Sequence, residues 1–167
     1  MSELIVRRAL SKDIDGILKL LEQVNLVHFH GRPDLFKMAT KYSRRELEHI
    51  IEDNSTPVFV CVPPEDEELP EGSPKHPVLG HAFCIRQKIG NAVLAEIMTL
   101  YVDDICVDEN ARGQGVGRRL FEHVEKYARD EGFYNITLNV WAFNEGAKAF
   151  YDSCGMQVQR YGMEKVL

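Results

Sequence analysis

A glycine-rich turn in the second half of the chain has the residue types best suited to binding a phosphate group. An apolar run ends at Val107, and Gly113, Gly115 and Gly117 then precede a segment with the apolar periodicity of a helix. Glycines let backbone N–H groups crowd together and point outward, and the amides that open a helix carry partial positive charge. Three arginines add formal charge around the turn, namely Arg112, Arg118 and Arg119. The turn is therefore suited to a phosphate or a pyrophosphate.

Two familiar phosphate-binding motifs do not match this turn. The phosphate-binding loop of NTPases requires Lys and then Ser or Thr after its last glycine, whereas Arg118 and Arg119 stand there. The dinucleotide fingerprint requires G-x-G-x-x-G, and the glycines at 113, 115 and 117 do not have that spacing. The ligand is therefore expected to be a phosphate compound of another class.

A second motif follows downstream, where residues 144–156 read NEGAKAFYDSCGM. Together with RGQGVG at 112–117, this segment resembles the two signatures of GNAT-superfamily N-acetyltransferases, Arg/Gln-x-x-Gly-x-Gly/Ala and Asn-x-x-Ala-x-x-Phe-Tyr-x-x-x-Gly-Phe. Met156 alone departs from the second signature, and the exchange is between apolar residues. The two motifs occur in the family's order, so the resemblance spans essentially the whole chain.

The resemblance implies that acetyl-CoA is bound as a co-substrate and that the glycine turn holds its pyrophosphate. The backbone of Ile105, Cys106 and Val107 would pair with the pantetheine arm as an added strand would. Asn144 would contact the coenzyme as well as cap its own helix. The other coenzyme-binding residues implied are those of the turn itself: Arg112, Gly113, Gln114, Gly115, Val116, Gly117 and Arg118.

Candidate catalytic residues are indicated by the same resemblance and by two aspartates that lie within an apolar strand. Tyr151 matches the tyrosine that in many relatives donates a proton to the sulfur of CoA. Asp103 and Asp104 interrupt an apolar strand, where carboxylates are unfavourable unless something uses or satisfies them. Because successive strand residues face opposite sides, we expect one aspartate to face the substrate, and we favour Asp103 as the base. Glu96, or proton relay through water, remains an alternative.

The acceptor side is predicted from the early part of the chain, which borders the acceptor cleft in this family. We expect His30, Arg32 and Asp34 to contact the substrate, with His28 and Tyr42 in the same region. The alternative is a loop whose polar groups bond to its own backbone.

The predicted activity is transfer of an acetyl group from acetyl-CoA to a primary amine, directly and within a ternary complex. An acyl-enzyme at Cys106 is disfavoured, because no His and Asp are spaced to activate that thiol. Two alternatives remain: a non-catalytic acyl-CoA-binding module with a regulatory or interaction role, and a transferase of a longer acyl group.

Composition limits the class of protein. A length of 167 residues favours one domain, which we place at 3–167, and a net charge of −6 disfavours nucleic acid as a partner. Since no run of eighteen apolar residues occurs and no signal peptide precedes the first strand, we expect a cytoplasmic protein without a membrane partner. The four cysteines are expected to be free, and no metal site is expected. The resemblance also allows a homodimer, because many relatives dimerise.

The order of predicted elements is β-α-α-β-β-β-α-β-α-β. This order favours an α/β (α+β) fold in which a mixed central sheet of six to seven strands is flanked by about four helices, as in the acetyltransferase fold. The predicted strands are 4–8, 57–62, 78–87, 93–107 and 135–140, with one or two more within 156–167. The predicted helices begin near Ser11 and Ser43 and span 115–131 and 144–153, with loops at 26–36 and 63–77.

Overall fold

One sheet of five strands, in the order β1-β2-β3-β4-β5, organises the residues that the computed structural model describes, 3–64 and 71–167. The strands are β1 (Ile5–Arg8), β2 (Val58–Val62), β3 (Gly80–Ile89), β4 (Ile97–Val107) and β5 (Asn135–Leu138). The first four pair antiparallel, whereas β5 runs parallel to β4. A parallel neighbour requires a crossover, and the helix between β4 and β5 supplies it.

Helices cover both faces of this sheet. They are α1 (Ile14–Gly31), α2 (Arg44–Glu52), α3 (Val116–Asp130) and α4 (Glu145–Ser153). Strand β2 is buried along its whole length, with Val58, Val60 and Val62 in the core beneath α1 and α2, and Phe59 and Cys61 in the core beneath α3. A strand buried on both sides explains why its sequence is apolar without alternation.

Local capping signals place two of the helix starts as predicted. The Ser43 side chain accepts a hydrogen bond from the backbone N–H of Glu46, and the Glu46 carboxylate accepts one from the N–H of Ser43. This is the capping box expected from the sequence. Helix α3 begins directly after Gly115, whose φ of +79° suits a residue without a Cβ.

The predicted fold class is confirmed, but the number of strands is lower than the six to seven expected. Residues 156–167 contain no strand, and they expose Val158, Tyr161, Met163 and Val166. Apolar residues in this segment have no layer to pack against in the single chain, and strand preference depends on such packing. The prediction of one or two final strands is therefore wrong for the isolated chain.

Two other boundaries differ from the sequence prediction. Residues 26–31, expected in a loop, belong to α1, because the first proline of the chain, Pro33, comes only after them. Strand β4 begins at Ile97 rather than at 93, because the Asn91 side chain accepts hydrogen bonds from the N–H groups of Val93 and Leu94 and forms a turn.

The acidic, proline-rich segment predicted at 63–77 lies only partly within the described residues. Residues 63, 64 and 71–77 have no helix or strand, as expected of a loop, and 65–70 fall outside the described ranges. No helix within 3–64 or 71–167 is long and apolar enough to cross a membrane.

Candidate active site

The pairing between strands β4 and β5 stops partway along β4. Their pairing begins at Thr99 opposite Asn135 and ends at Val102 opposite Leu138, although β4 continues to Val107. Among the described strands, none pairs with residues 103–107 on the β5 side. Unpaired backbone N–H and C=O groups at a strand edge can bind an extended ligand through main-chain hydrogen bonds. This open edge includes the three residues predicted to pair with pantetheine.

A β-bulge interrupts β4 where this open edge begins. Phe83 of β3 pairs with Asp104 and the next residue, Cys84, pairs with Val102, so Asp103 has no opposite residue. A bulge of one residue changes which face the following side chains point to. The aspartates 103 and 104 therefore both face α1 and α2. The expectation that they face opposite sides is wrong, because strand alternation does not hold across the bulge.

Asp103 is engaged by the connection between α1 and α2. Its Oδ2 lies 2.6 Å from the Lys41 ammonium, and the Tyr42 hydroxyl donates to the same oxygen at 3.4 Å. Burial alone would lower the pKa of Lys41, but the hydrogen bond and charge of Asp103 raise it. The Asp103 carboxylate is thus neutralised by a permanent cation.

Asp104 has a different partner. Its Oδ2 lies 2.9 Å from Nε2 of His81, a residue of β3 that is completely buried, while the Asp104 side chain keeps 11% of its surface exposed. The sequence prediction missed His81. The available signal was a titratable residue within the otherwise apolar run Gly80–Cys84.

Tyr151 of α4 is within electrostatic reach of Asp104. Burial raises the pKa of the Tyr151 phenol well above its usual range, and the negative charge of Asp104 raises it further. The rings of Phe121 and Phe150 lie 6.1 and 5.1 Å from its ring and help to hold it in place. Tyr151 therefore keeps its proton at neutral pH, as a proton donor must.

The glycine turn is open on its outer side. Gly113 has φ +77° and Gly115 φ +79°, and a Cβ built on either residue would meet no heavy atom within 4 Å. Gly117 faces inward instead, where a Cβ would lie 3.4 Å from the Phe150 ring and 3.5 Å from Val107. The first two glycines thus leave space for a ligand, and the third allows α3 to approach α4 and β4.

The charge of the turn also fits an anion. Helix α3 begins with no side-chain cap and no acidic residue in its first turn, so no side chain there competes for its opening amides. Arg112 is exposed, and Arg118 donates to the backbone oxygen and the hydroxyl of Ser153 in α4. The side chain of Gln114 donates to the carbonyl of Asn110 within the same turn. A pyrophosphate fits this combination of free amides and cations.

Asn144 caps α4, as its position in the motif suggests. Its side-chain oxygen accepts a hydrogen bond from the N–H of Ala147 at 3.1 Å. The amide nitrogen of the same side chain is left for another contact, which is compatible with the predicted role toward the coenzyme.

The predicted acceptor residues lie at the end of α1 and just after it, and two of the three pair with each other. Arg32 is paired with Asp34 at 2.7 Å and also with Glu164 of the C-terminal segment. His30 is exposed at the last turn of the helix. His28 is the histidine near the acidic pair: burial lowers its pKa, the charge of Asp104 partly opposes this, and Lys41 lowers it further.

An aromatic cluster, which the sequence analysis did not predict, adjoins His28. The Phe36 ring stacks on His28 with centroids 4.9 Å apart and contacts the edge of Trp141 at 5.2 Å. Trp141 stacks in turn on Phe143, and 42% of its surface is exposed. We call His28, Phe36, Trp141 and Phe143 the aromatic cluster. It joins the end of α1 to the loop after β5, on the same side as the aspartates.

Cys106 is not built for nucleophilic catalysis. Burial raises its pKa to about 12, and its thiol donates to the backbone oxygen of Leu20 at 3.4 Å. The thiol is therefore protonated and lacks the thiolate that attack requires. Within the described residues, no group of three or more His, Cys, Asp or Glu side chains could hold a metal ion.

Comparison with known proteins agrees with this geometry. Residues 34–156 match the model of the Acetyltransferase (GNAT) family. The chain is 41% identical over 155 residues to the 5-NmdU N-acetyltransferase of Pseudomonas phage PaMx11, covering 93% of this chain and 88% of the relative. It is 27% identical to the thialysine N-epsilon-acetyltransferase of Bos taurus, covering 94% and 86% of the two chains.

A solved structure has a similar fold. A mutant of the BH1408 protein from Bacillus halodurans superposes with a TM-score of 0.85 at 28% identity, covering 98% of this chain and 99% of that one. The chain belongs to the GNAT acetyltransferase family. It is an N-acetyltransferase, an enzyme that transfers an acetyl group.

Proposed function

We propose that the protein transfers an acetyl group from acetyl-CoA to a primary amine, directly and within a ternary complex. The observation that carries this proposal is the adjacency of three features: the open β4 edge at 103–107, the glycine turn that follows it, and the protonated Tyr151. The first two suit an extended thioester with a pyrophosphate, and the third suits its leaving sulfur.

The coenzyme would be held mainly by the protein backbone. The N–H and C=O groups of Ile105, Cys106 and Val107 would pair with the pantetheine arm, and Asn144 would contact it from α4. The pyrophosphate would lie on the amides that open α3, with two arginines near it. These residues of the turn are Arg112, Gly113, Gln114, Gly115, Val116, Gly117 and Arg118.

In the proposed reaction, acetyl-CoA supplies the acetyl group as a thioester. Asp104 accepts a proton from the amine nitrogen as the bond from that nitrogen to the acetyl carbon forms. Tyr151 donates its proton to the sulfur as the bond from carbon to sulfur breaks. The products are an N-acetyl amide and a thiol, and solvent returns the proton from Asp104 to Tyr151.

The ion pair of Asp103 makes Asp104 the better base. Lys41 would have to be displaced before Asp103 could bind an ammonium or take its proton, because the Lys41 ammonium already lies against the Asp103 carboxylate. Asp104 has no such cation, lies within electrostatic reach of Tyr151 and remains partly exposed. We therefore assign Asp103 to holding the connection between α1 and α2 in place.

The acceptor would bind between the aromatic cluster and the residues that follow or end α1, which are His30, Arg32 and Asp34. Trp141 and Phe36 offer apolar surface beside the carboxylates, a combination that suits an amine carried on an apolar or planar body. His30, Arg32 and Asp34 would lie at the outer rim of the same cleft. The names of the relatives are consistent with amine acceptors, since one acts on 5-NmdU and another on thialysine.

A panel of amines, incubated with acetyl-CoA while thiol release is followed, tests the proposal. We expect acetylated product for at least one primary amine, identified by its mass. If the protein is active with a longer acyl-CoA but not with acetyl-CoA, the transferred group is that longer acyl group. Tight coenzyme binding without any turnover would favour a non-catalytic acyl-CoA-binding module instead.

We also propose that residues 3–167 act as a single domain in the cytoplasm and associate as a homodimer. The exposed apolar side chains of 156–167 support association through this segment. The four unpaired cysteines suit a reducing compartment. Light scattering on the full chain tests the dimer, because a monomer at micromolar concentration contradicts it.

A further inference from the structure

His81 is a completely buried titratable residue for which the proposed reaction has no direct use. It lies on β3 opposite Cys106 of β4, and its ring meets the Phe83 ring edge-on at 4.9 Å. Burying an imidazole lowers the stability of the fold unless its nitrogens have hydrogen-bond partners. The contacts of its two nitrogens therefore indicate what the residue does.

Those two nitrogens are used unequally. Nε2 lies 2.9 Å from Oδ2 of Asp104, whereas Nδ1 is buried and has no hydrogen-bond partner among the described residues. A neutral ring with its proton on Nε2 donates to the carboxylate and leaves only a bare acceptor at Nδ1. The other tautomer, or a doubly protonated ring, would bury an N–H without an acceptor, which costs more. His81 is therefore a hydrogen-bond donor to the Asp104 carboxylate.

This hydrogen bond restrains a carboxylate that has little else to hold it. Of the described residues, only His81 donates a side-chain hydrogen bond to Asp104. The other titratable groups that face Asp104 act on it through space: His28 from α1, Lys41 from the following connection, Tyr151 from α4, and Cys106 and Asp103 from its own strand. With Oδ2 held by the imidazole, Oδ1 is left for the substrate.

We propose that His81 is a positioning residue for acetyl transfer, which orients Asp104 so that Oδ1 meets the acceptor amine. The inference rests on the proposed role of Asp104 as the base. His81 itself touches no substrate and acts only through the carboxylate. Residues that orient a reacting group in this way affect turnover more than binding.

Two substitutions at this position separate positioning from packing. His81→Phe keeps a buried ring of similar size but removes the donor, whereas His81→Gln keeps an N–H donor near the place of Nε2 but fills the space less well. Positioning predicts that kcat falls about 10- to 100-fold in His81→Phe and is largely restored in His81→Gln. Packing predicts the reverse order.

The pH dependence of kcat gives a second readout. Positioning predicts that the pH profile of kcat in His81→Phe departs from that of the wild-type protein, because the hydrogen bond to the reacting carboxylate is lost. In His81→Gln the profile should stay near its wild-type position. KM for acetyl-CoA should change little in either variant.

His123 provides a matched control, because it also packs edge-on against a phenylalanine, Phe59 at 4.9 Å, on the opposite face of the sheet. His123→Gln should lower Tm without moving the pH profile. The inference is overturned if His81→Phe folds and keeps the wild-type kcat and profile while His81→Gln loses activity.

The tautomer of His81 gives a readout that does not depend on turnover. Nitrogen NMR of the wild-type protein should show the proton on Nε2, and the resonance should shift in Asp104→Asn. A proton found on Nδ1 would contradict the inference even if the wild-type protein acetylates an amine. Absence of acetylation by the wild type would instead refute the proposed function, so the two failures are distinguishable.

Discussion

The coenzyme side and the acceptor side of the candidate site are built from different parts of the protein. On the coenzyme side, the open edge of β4 and the turn at 113–117 present backbone groups, and Gly113 and Gly115 leave open space beside them. On the acceptor side, individual side chains matter, namely Asp104, His81 and the aromatic cluster. Substitutions should therefore act differently on the two sides. The backbone conformation of the turn at 113–117 should control coenzyme affinity, and the charge of Asp104 should control turnover.

The largest expected effect is at the bulge. Asp104→Asn removes the proposed base while keeping its size, and we expect kcat to fall about 100- to 10,000-fold. Asp103→Asn, one residue away, should cost less than about tenfold, because it loses a partly exposed ion pair of small energetic value. Steady-state kinetics of both variants provides the measurement. Equal losses would show that the two carboxylates share the role.

A smaller effect is expected at the leaving sulfur. Tyr151→Phe removes the proton donor, so kcat should fall about 10- to 100-fold while affinity for acetyl-CoA, measured by calorimetry, stays unchanged. Because burial raises the pKa of Tyr151 above 10.0, wild-type activity should not decline up to about pH 10 through loss of this proton. A wild-type rate in the variant would exclude Tyr151 as the acid.

The smallest effect is expected on the coenzyme side, where two glycines form a matched pair. Gly115 and Gly132 both have positive φ, +79° and +75°, and both have open space around a built Cβ. Substitution by Ala should cost each about 1 kcal/mol of folding free energy. Gly115→Ala should also weaken CoA binding roughly tenfold, because its Cβ enters the space proposed for the pyrophosphate. Equal CoA affinity in the two variants would place the pyrophosphate elsewhere.

Sequence was sufficient where the determinants are contiguous. The capping box at Ser43, the glycine turn and the motif containing Tyr151 each lie within a few residues, and the structure places each on the expected element. The roles proposed for these residues in catalysis and binding remain predictions. Because these motifs are contiguous in sequence, the coenzyme side was easier to predict than the acceptor side.

Features that depend on pairing between distant segments were not predictable in the same way. The bulge at Asp103 arises from the register of β3 against β4, and the contact between His81 and Asp104 follows from that register. The aromatic cluster joins residues more than a hundred positions apart. The strands expected in 156–167 had the right apolar residues but no partner surface in one chain. Periodicity in a sequence shows which face is apolar, not what covers it.

A crystal structure of the protein with bound CoA tests the central claim most directly. We expect the pantetheine arm to pair with the backbone of residues 105–107 along the open β4 edge, and the pyrophosphate to lie on the amides between Gly113 and Gly117. A coenzyme bound elsewhere, with this edge and turn empty, would contradict the account.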